Sequence, residues 1–208
     1  IDIALNKDVK MMFISGPAGS SKTLLSIYCA LQLIKDKRVS DIMYIRSPVE
    51  SSDSKIGFLP GDADEKLKYY NLPFADKLDE LLSKPSIESL NNQGRLQSHP
   101  LSFVRGMSWN CKAIILDEAQ NCTQKEIVTL MTRIGEFSKC FILADPDQSD
   151  LAYGKSGGFE KLQAIFSDEE SRERGLYSFH FTEEDIKRSD LVKFIVKKLK
   201  VLSPTVRV

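Results

Sequence analysis

Gly16-Pro17-Ala18-Gly19-Ser20-Ser21-Lys22-Thr23 joins an apolar run to an amphipathic one. A loop of this kind converges backbone N–H groups on one point, and a following helix adds about half a positive charge. That is chemistry for a phosphate. Lys22 would reach the β- and γ-phosphates of a nucleotide, and Thr23 would place a hydroxyl on Mg²⁺. The usual pattern has Gly just before the Lys, where this chain has Ser21. Serine costs little there if the backbone is right-handed helical, because only a positive φ makes glycine necessary. Its side chain would crowd the phosphate and weaken binding. A Gly/Ser-rich turn that merely caps a helix is the bland alternative.

Two acids complete the chemistry. Ala113-Ile114-Ile115-Leu116 is an apolar strand that ends in Asp117-Glu118. Such a strand brings Asp117 to the carboxyl edge of a sheet, where ligands of these folds sit. Asp117 would hold Mg²⁺ and Glu118 would polarise an attacking water. Another strand ends in Ala144-Asp145-Pro146-Asp147-Gln148, and Gln148 would orient that water or sense the γ-phosphate. By spacing alone this last segment is nearly as good a plain turn. An arginine often neutralises the charge that develops during hydrolysis. Arg46, Arg105, Arg133 and Arg188 are the candidates, and spacing does not choose among them.

The elements that must position these residues follow from periodicity. Met11–Ser15, Ile42–Arg46, Ala113–Asp117, Cys140–Ala144 and Tyr177–Phe181 read as buried strands, mostly continuous in hydrophobicity as in a parallel sheet covered on both faces. Helices are expected at Lys22–Lys35, at about Asp64–Leu82 with Pro73 kinking or splitting it, from Thr123 to about Arg133, and at Gly158–Phe166. Thr182 opens a last, basic helix to about Lys200. The alternation predicts an α/β fold with right-handed crossovers. Residues of about 49–110 are too many for one crossover and read as an insertion after the second strand. Ser51–Ser54 would be its mobile entry, and Ser83–Pro100 a second loop.

Composition bounds the rest. The 208 residues carry 29 Lys+Arg and 29 Asp+Glu, which argues against holding nucleic acid by bulk charge while leaving a local basic patch open. No apolar run approaches the roughly 20 residues that span a bilayer. The four cysteines are widely spaced, without a C-x-x-C pair, as in a reduced cytoplasmic protein, and Cys29 and Cys140 lie in apolar stretches.

Taken together, the motifs resemble the PhoH-like family of P-loop ATPases, whose RecA-like core is related to superfamily 1 helicases. Asp117-Glu118-Ala119-Gln120 resembles the family's DEAQ box and Asp145-Pro146-Asp147-Gln148 the GDxxQ motif of that superfamily. Gly57-Phe58-Leu59-Pro60-Gly61-Asp62 with Glu65-Lys66, Arg46-Ser47-Pro48-Val49-Glu50, Phe103-Val104-Arg105-Gly106, Thr132-Arg133-Ile134-Gly135 and Asp185-Ile186-Lys187-Arg188 parallel further family segments in order. Ser20-Ser21 replaces the usual Thr-Gly, Ser47 a Pro, and Ala144 the Gly of GDxxQ. The family's upstream Gln, which usually reads adenine, has no counterpart among these residues.

The resemblance implies a RecA-like P-loop NTPase domain over residues 1–208, binding ATP and Mg²⁺ and acting as a homo-oligomer, a hexameric ring. In such rings a neighbour's arginine completes the site; Arg188 is the first choice and Arg133 the second. Relatives are linked to RNA handling, so RNA or single-stranded DNA is the expected partner, with no membrane. The leading expectation is an ATPase that remodels nucleic acid in a helicase-like way. The alternative is an ATP-gated interaction module with slow hydrolysis, and a small-molecule kinase is weaker because no acceptor lid is apparent.

Overall fold

The structure, a computed structural model, describes residues 1–46, 63–104, 106, 108–148, 157–187 and 194. Six strands form one sheet: β1 Met11–Ser15, β2 Asp41–Arg46, β3 Leu96–Pro100, β4 Lys112–Asp117, β5 Lys139–Ala144 and β6 Leu176–His180. Their order is β3-β2-β4-β5-β1-β6, and every pairing is parallel. This is the predicted parallel sheet flanked by helices, with β5 inserted between the strand that leads to the phosphate loop and the strand that ends in Asp117.

The helices are α1 Asp2–Leu5, α2 Lys22–Lys35, α3 Ala63–Leu81, α4 Lys84–Asn92, α5 Gln124–Met131, α6 Gly158–Ile165 and α7 Glu169–Glu173. They cover both faces and enclose two cores. Met12, Ile14, Tyr44, Ile115 and Phe141 pack against α2 and α3 through Ile27, Leu33, Phe74 and Leu78. Phe13, Ile45, Ile114, Leu116 and Ile142 face the opposite way, toward Ile127, Leu130, Phe159 and Leu162. Alternate residues of each strand thus feed opposite cores, which is why the central strands are apolar through their middles, with polar residues only at their ends. Cys29 and Cys140 are buried free thiols, as expected of small core residues.

Local chemistry sets the helix ends. Thr123 and Glu126 form the predicted capping box, with the Thr123 amide on Glu126 Oε2 at 2.8 Å and the Glu126 amide on Thr123 Oγ1 at 3.3 Å. At the far end of α2, Lys37 is left-handed, and the Lys37 and Arg38 amides close on Ile34 O at 3.0 Å and Leu33 O at 2.9 Å.

Three expectations change. Ser83–Pro100 is not a loop: it contains α4 and β3, and β3 pairs with β2 at the sheet edge. A polar helix with no buried residue and a half-buried edge strand carry too little hydrophobic signal to read. The helix expected near Asp64–Leu82 is not split at Pro73: α3 runs through it, held on the core by Phe74 and Leu78. The capping residues Thr182 and Asp185 open only a 3₁₀ turn, Glu183–Asp185, with Ile186 extended after it. Ser51–Ser54, the Gly57–Asp62 segment, Arg105, Arg188 and most of the expected last helix lie outside the described residues. Among those described, no helix is long and apolar enough to cross a membrane.

Candidate functional site

The loop after β1 turns on two glycines. Gly16 has φ 150° and Gly19 φ 82°, and a Cβ on Gly16 would sit 2.6 Å from Phe181 Cβ, so only glycine fits between β1 and β6. Ser21, which caps α2, is left-handed at φ 62° and ψ 22°. The condition under which a serine would cost little there is therefore not met. This is a strained position that glycine would relax. Ser20 is buried, its hydroxyl donating to Pro17 O at 2.8 Å and tightening the turn.

A cleft of about 630 Å³ opens over this loop at the carboxyl edge of the sheet. Ala18, Gly19, Ser21, Lys22 and Thr23 line it from one side, and Arg46, Asp117, Glu118, Asp145 and Gln148 from the other. Gly16, Pro17 and Ser20 shape the loop behind them. Lys22 Nζ donates to Gly16 O at 2.7 Å and Pro17 O at 2.9 Å. Burial pulls its pKa down from the ordinary lysine value, opposed by the charges of Asp145, Asp117 and Glu118. Asp145, itself buried, also accepts from the Ala18 amide; burial raises its pKa and Lys22 opposes the rise.

Across the cleft, Thr23 Oγ1 lies 3.1 and 3.3 Å from the two Asp117 carboxylate oxygens. Tyr44 donates to Asp117 Oδ2 at 2.6 Å. Burial raises the Asp117 pKa, with the Tyr44 hydrogen bond the largest opposing effect. The Tyr44 hydroxyl is pushed far above its usual range by burial and by Asp117. A hydroxyl and a carboxylate at this spacing are hard oxygen donors of the kind Mg²⁺ takes, its remaining positions going to water and phosphate. Among the described residues no cluster of three or more His, Cys, Asp or Glu is arranged for a metal, so a softer, all-protein site is not offered.

Glu118 sits on the strand-to-turn corner with φ 57°, a second left-handed non-glycine residue facing the cleft. Its carboxylate is held from two sides, by Arg46 Nη2 at 3.4 Å and by Gln120 Nε2 at 2.6 Å. Gln120 is buried and reaches further: its Oε1 accepts from the Asp145 amide at 3.0 Å and its Nε2 lies 3.5 Å from Gln148 O. One side chain therefore ties the Glu118 corner to the Asp145–Gln148 turn. Gln148 itself is exposed on the cleft wall.

The proposed residues Lys22, Thr23, Arg46, Asp117, Glu118 and Gln148 thus meet. Arg133 does not join them. It follows α5, and its carbonyl accepts from the Trp109 amide at 2.9 Å, which puts it at the amino edge of the sheet. Its Nε is buried with no hydrogen-bond partner among the described residues. Tyr44, Lys77 of α3 and Lys187 were missed from sequence, and Gln120 and Asp145 stood in the motifs without a role of their own; all but Tyr44 line the cleft. One signal was available for Tyr44: a tyrosine in a fully apolar strand needs a partner for its hydroxyl.

The model of the family described as PhoH-like protein matches residues 3–200. The chain is 32% identical to a PhoH-like protein of Synechocystis over 89% of its length, and 32% identical to one of Bacillus subtilis over 94%. It is also 34% identical over 74% of its length to protein PhoH2 of Bacillus subtilis. It spans 55%, 60% and 36% of these relatives. Among solved structures it is similar to the large terminase of a thermophilic bacteriophage. The TM-score is 0.51 at 13% identity, covering 94% of this chain and 46% of the other, a likeness of fold.

Proposed function

Because the chain belongs to the PhoH-like protein family, we propose that it binds ATP with Mg²⁺ and hydrolyses it, coupling hydrolysis to remodelling of RNA or single-stranded DNA. It does so in the cytoplasm as one subunit of a hexameric ring. The observation that carries this reading is the Thr23–Asp117 oxygen pair at 3.1 Å in the same cleft as Lys22 and Glu118. Mg²⁺ bound through Thr23 and Asp117 would neutralise charge on the phosphate oxygens. The loop amides and Lys22 bind the phosphates, Lys22 giving up its contacts with the loop carbonyls Gly16 O and Pro17 O. Glu118 accepts the proton of the attacking water, oriented by Arg46 and Gln120, and Gln148 lies on the same wall to position that water. The arginine finger comes from a neighbouring subunit, as Arg188 or Arg133. The amino-edge position of Arg133 suits a role toward a neighbour's cleft better than toward its own.

The test is ATP turnover by purified protein. Lys22→Ala is expected to abolish it, and Glu118→Gln to lower it by about 10²–10⁴-fold with ATP still bound. Undiminished hydrolysis by both variants refutes the proposal. A second reading, an ATP-gated interaction module with slow hydrolysis, draws support from the strain at Ser21 and from the restraint of Glu118 by Arg46 and Gln120. Mass measurement with and without ATP, beside turnover with and without RNA, separates them. Stimulation by RNA favours the motor, and assembly without stimulation favours the module.

A further inference from the structure

A second cleft, of about 460 Å³, lies at the amino edge of the sheet, the end opposite the phosphate loop. A five-residue strand sets the two edges roughly 15 Å apart. Lys7 and Lys10 enter it just before β1, Lys37 and Arg38 just before β2, and Lys139 at the start of β5. Among the described residues no carboxylate lines it, and none of these five cations takes part in an ion pair. Three of them donate to neutral backbone carbonyls instead. Lys139 Nζ donates to Ala4 O at 2.5 Å and Asn6 O at 2.6 Å, Lys10 Nζ to Lys7 O at 3.1 Å, and Arg38 Nη1 to Leu5 O. Lys139 is buried, at 4% exposure. In a chain with 29 residues of each sign, five uncompensated cations on one wall are a segregated field. The nearest acids in sequence, Asp8, Asp36 and Glu136, are exposed and lie outside the lining.

Backbone strain marks the same place. Five non-glycine residues among those described have positive φ; Ser21 and Glu118 face the nucleotide cleft, and Lys37, Cys111 and Phe137 line this one. Lys37 is accounted for by the end of α2, but Cys111 (φ 56°) and Phe137 (φ 58°) end no helix. A bulky aromatic in that region is a true outlier. Strain of this sort persists where a binding site needs the geometry. Here it holds Phe137 76% exposed beside the cations, the most exposed large apolar side chain among those described.

We propose that this amino-edge cleft binds single-stranded nucleic acid, Lys7, Lys10, Lys37 and Arg38 following the phosphate backbone, the buried Lys139 adding its charge from behind, and the Phe137 ring stacking on a base. A free phosphate would need neither five cations nor an aromatic face, and a membrane surface would call for more than one exposed apolar side chain. This inference gives a place to the nucleic acid of the proposed function, and rests on that half of it.

The experiment is fluorescence anisotropy of a labelled single-stranded RNA oligonucleotide with the full chain, titrated between about 50 and 200 mM salt. Lys7 and Lys37 are exposed and ion-pair with nothing described, so Lys7→Gln/Lys37→Gln leaves the fold intact. That double variant is expected to weaken binding about tenfold or more at the lower salt and to flatten the log–log salt slope by about 1.4, the release of two counterions from a single strand. Phe137→Ser is expected to weaken binding about tenfold with the slope unchanged. Neither should alter hydrolysis measured without nucleic acid. Unchanged affinity in both variants, with the wild type binding, refutes this site alone. A wild type that binds no single strand refutes the site and the nucleic-acid half of the function, while the Lys22→Ala assay judges the hydrolysis half separately. Loss of binding to inorganic tripolyphosphate or anionic vesicles in these variants, with single-strand binding retained, overturns the inference in favour of a free anion or a membrane.

Discussion

Replacing Ser21 by glycine should make the protein more stable. The residue is held at φ 62° and ψ 22°, where a Cβ crowds the following carbonyl and costs about 1–2 kcal/mol. Glycine removes that cost but also loosens the unfolded chain, at about 0.4–1 kcal/mol. The net is a gain of about 1 kcal/mol, or a rise of about 2–4 °C in melting temperature for a domain of this size. Ser21→Ala is the control, because it deletes the hydroxyl and keeps the Cβ; it should show no gain. Scanning calorimetry of the unliganded chain at neutral pH, with reversibility checked, reads both. Ser21→Gly should also bind ATP at least as tightly, since it removes a side chain from the cleft wall. A Ser21→Gly protein no more stable than wild type, or an equal rise in Ser21→Ala, refutes the assignment of strain to the backbone.

Two further outcomes follow from buried groups. Gln120→Met leaves the Asp145 amide without its acceptor and frees the Glu118 carboxylate from one of its two holders, so stability should fall by about 1–3 kcal/mol in denaturant titration, with a larger proportional loss in turnover than in ATP affinity. Lys139 titrates at about 8, lowered by burial and then by Arg38 and Lys10, so between about pH 8 and its ordinary value of 10.5 the unfolded chain holds a proton that the folded chain has lost. Stability from this group therefore rises with pH across that window. The stability of wild type relative to Lys139→Met should grow from pH 8 to pH 10, and a difference independent of pH would show that Lys139 is not desolvated.

Much of the fold and half of the site were legible because they are written locally. Gly16 and Gly19 announce a turn whose φ values only glycine takes freely, and the four-residue strand core Ala113–Leu116 announces the acids that end it. Thr123 and Glu126 form their capping box within one helical turn. β3 escaped notice because Leu96-Gln97-Ser98-His99-Pro100 sits at an edge, half-buried, and is defined by its partner β2 rather than by its own pattern.

From the sequence alone come the residue types and the chemistry they permit: a phosphate loop, a hydroxyl, two strand-end acids and an α/β alternation. Those rest on short-range sterics and on hydrophobic periodicity, which a single chain displays. The tertiary structure decided what long-range pairing alone can decide. It placed β5 between β1 and β4, laid Tyr44 on Asp117 across 73 residues, and joined Glu118 to the Asp145 turn through Gln120. It turned Ser21 left-handed and sent Arg133 to the far edge of the sheet. It also gathered five cations from three separate segments onto one wall, a field that a net charge of zero conceals because charge balance is a sum over the chain and a binding surface depends on where in space each charge lies.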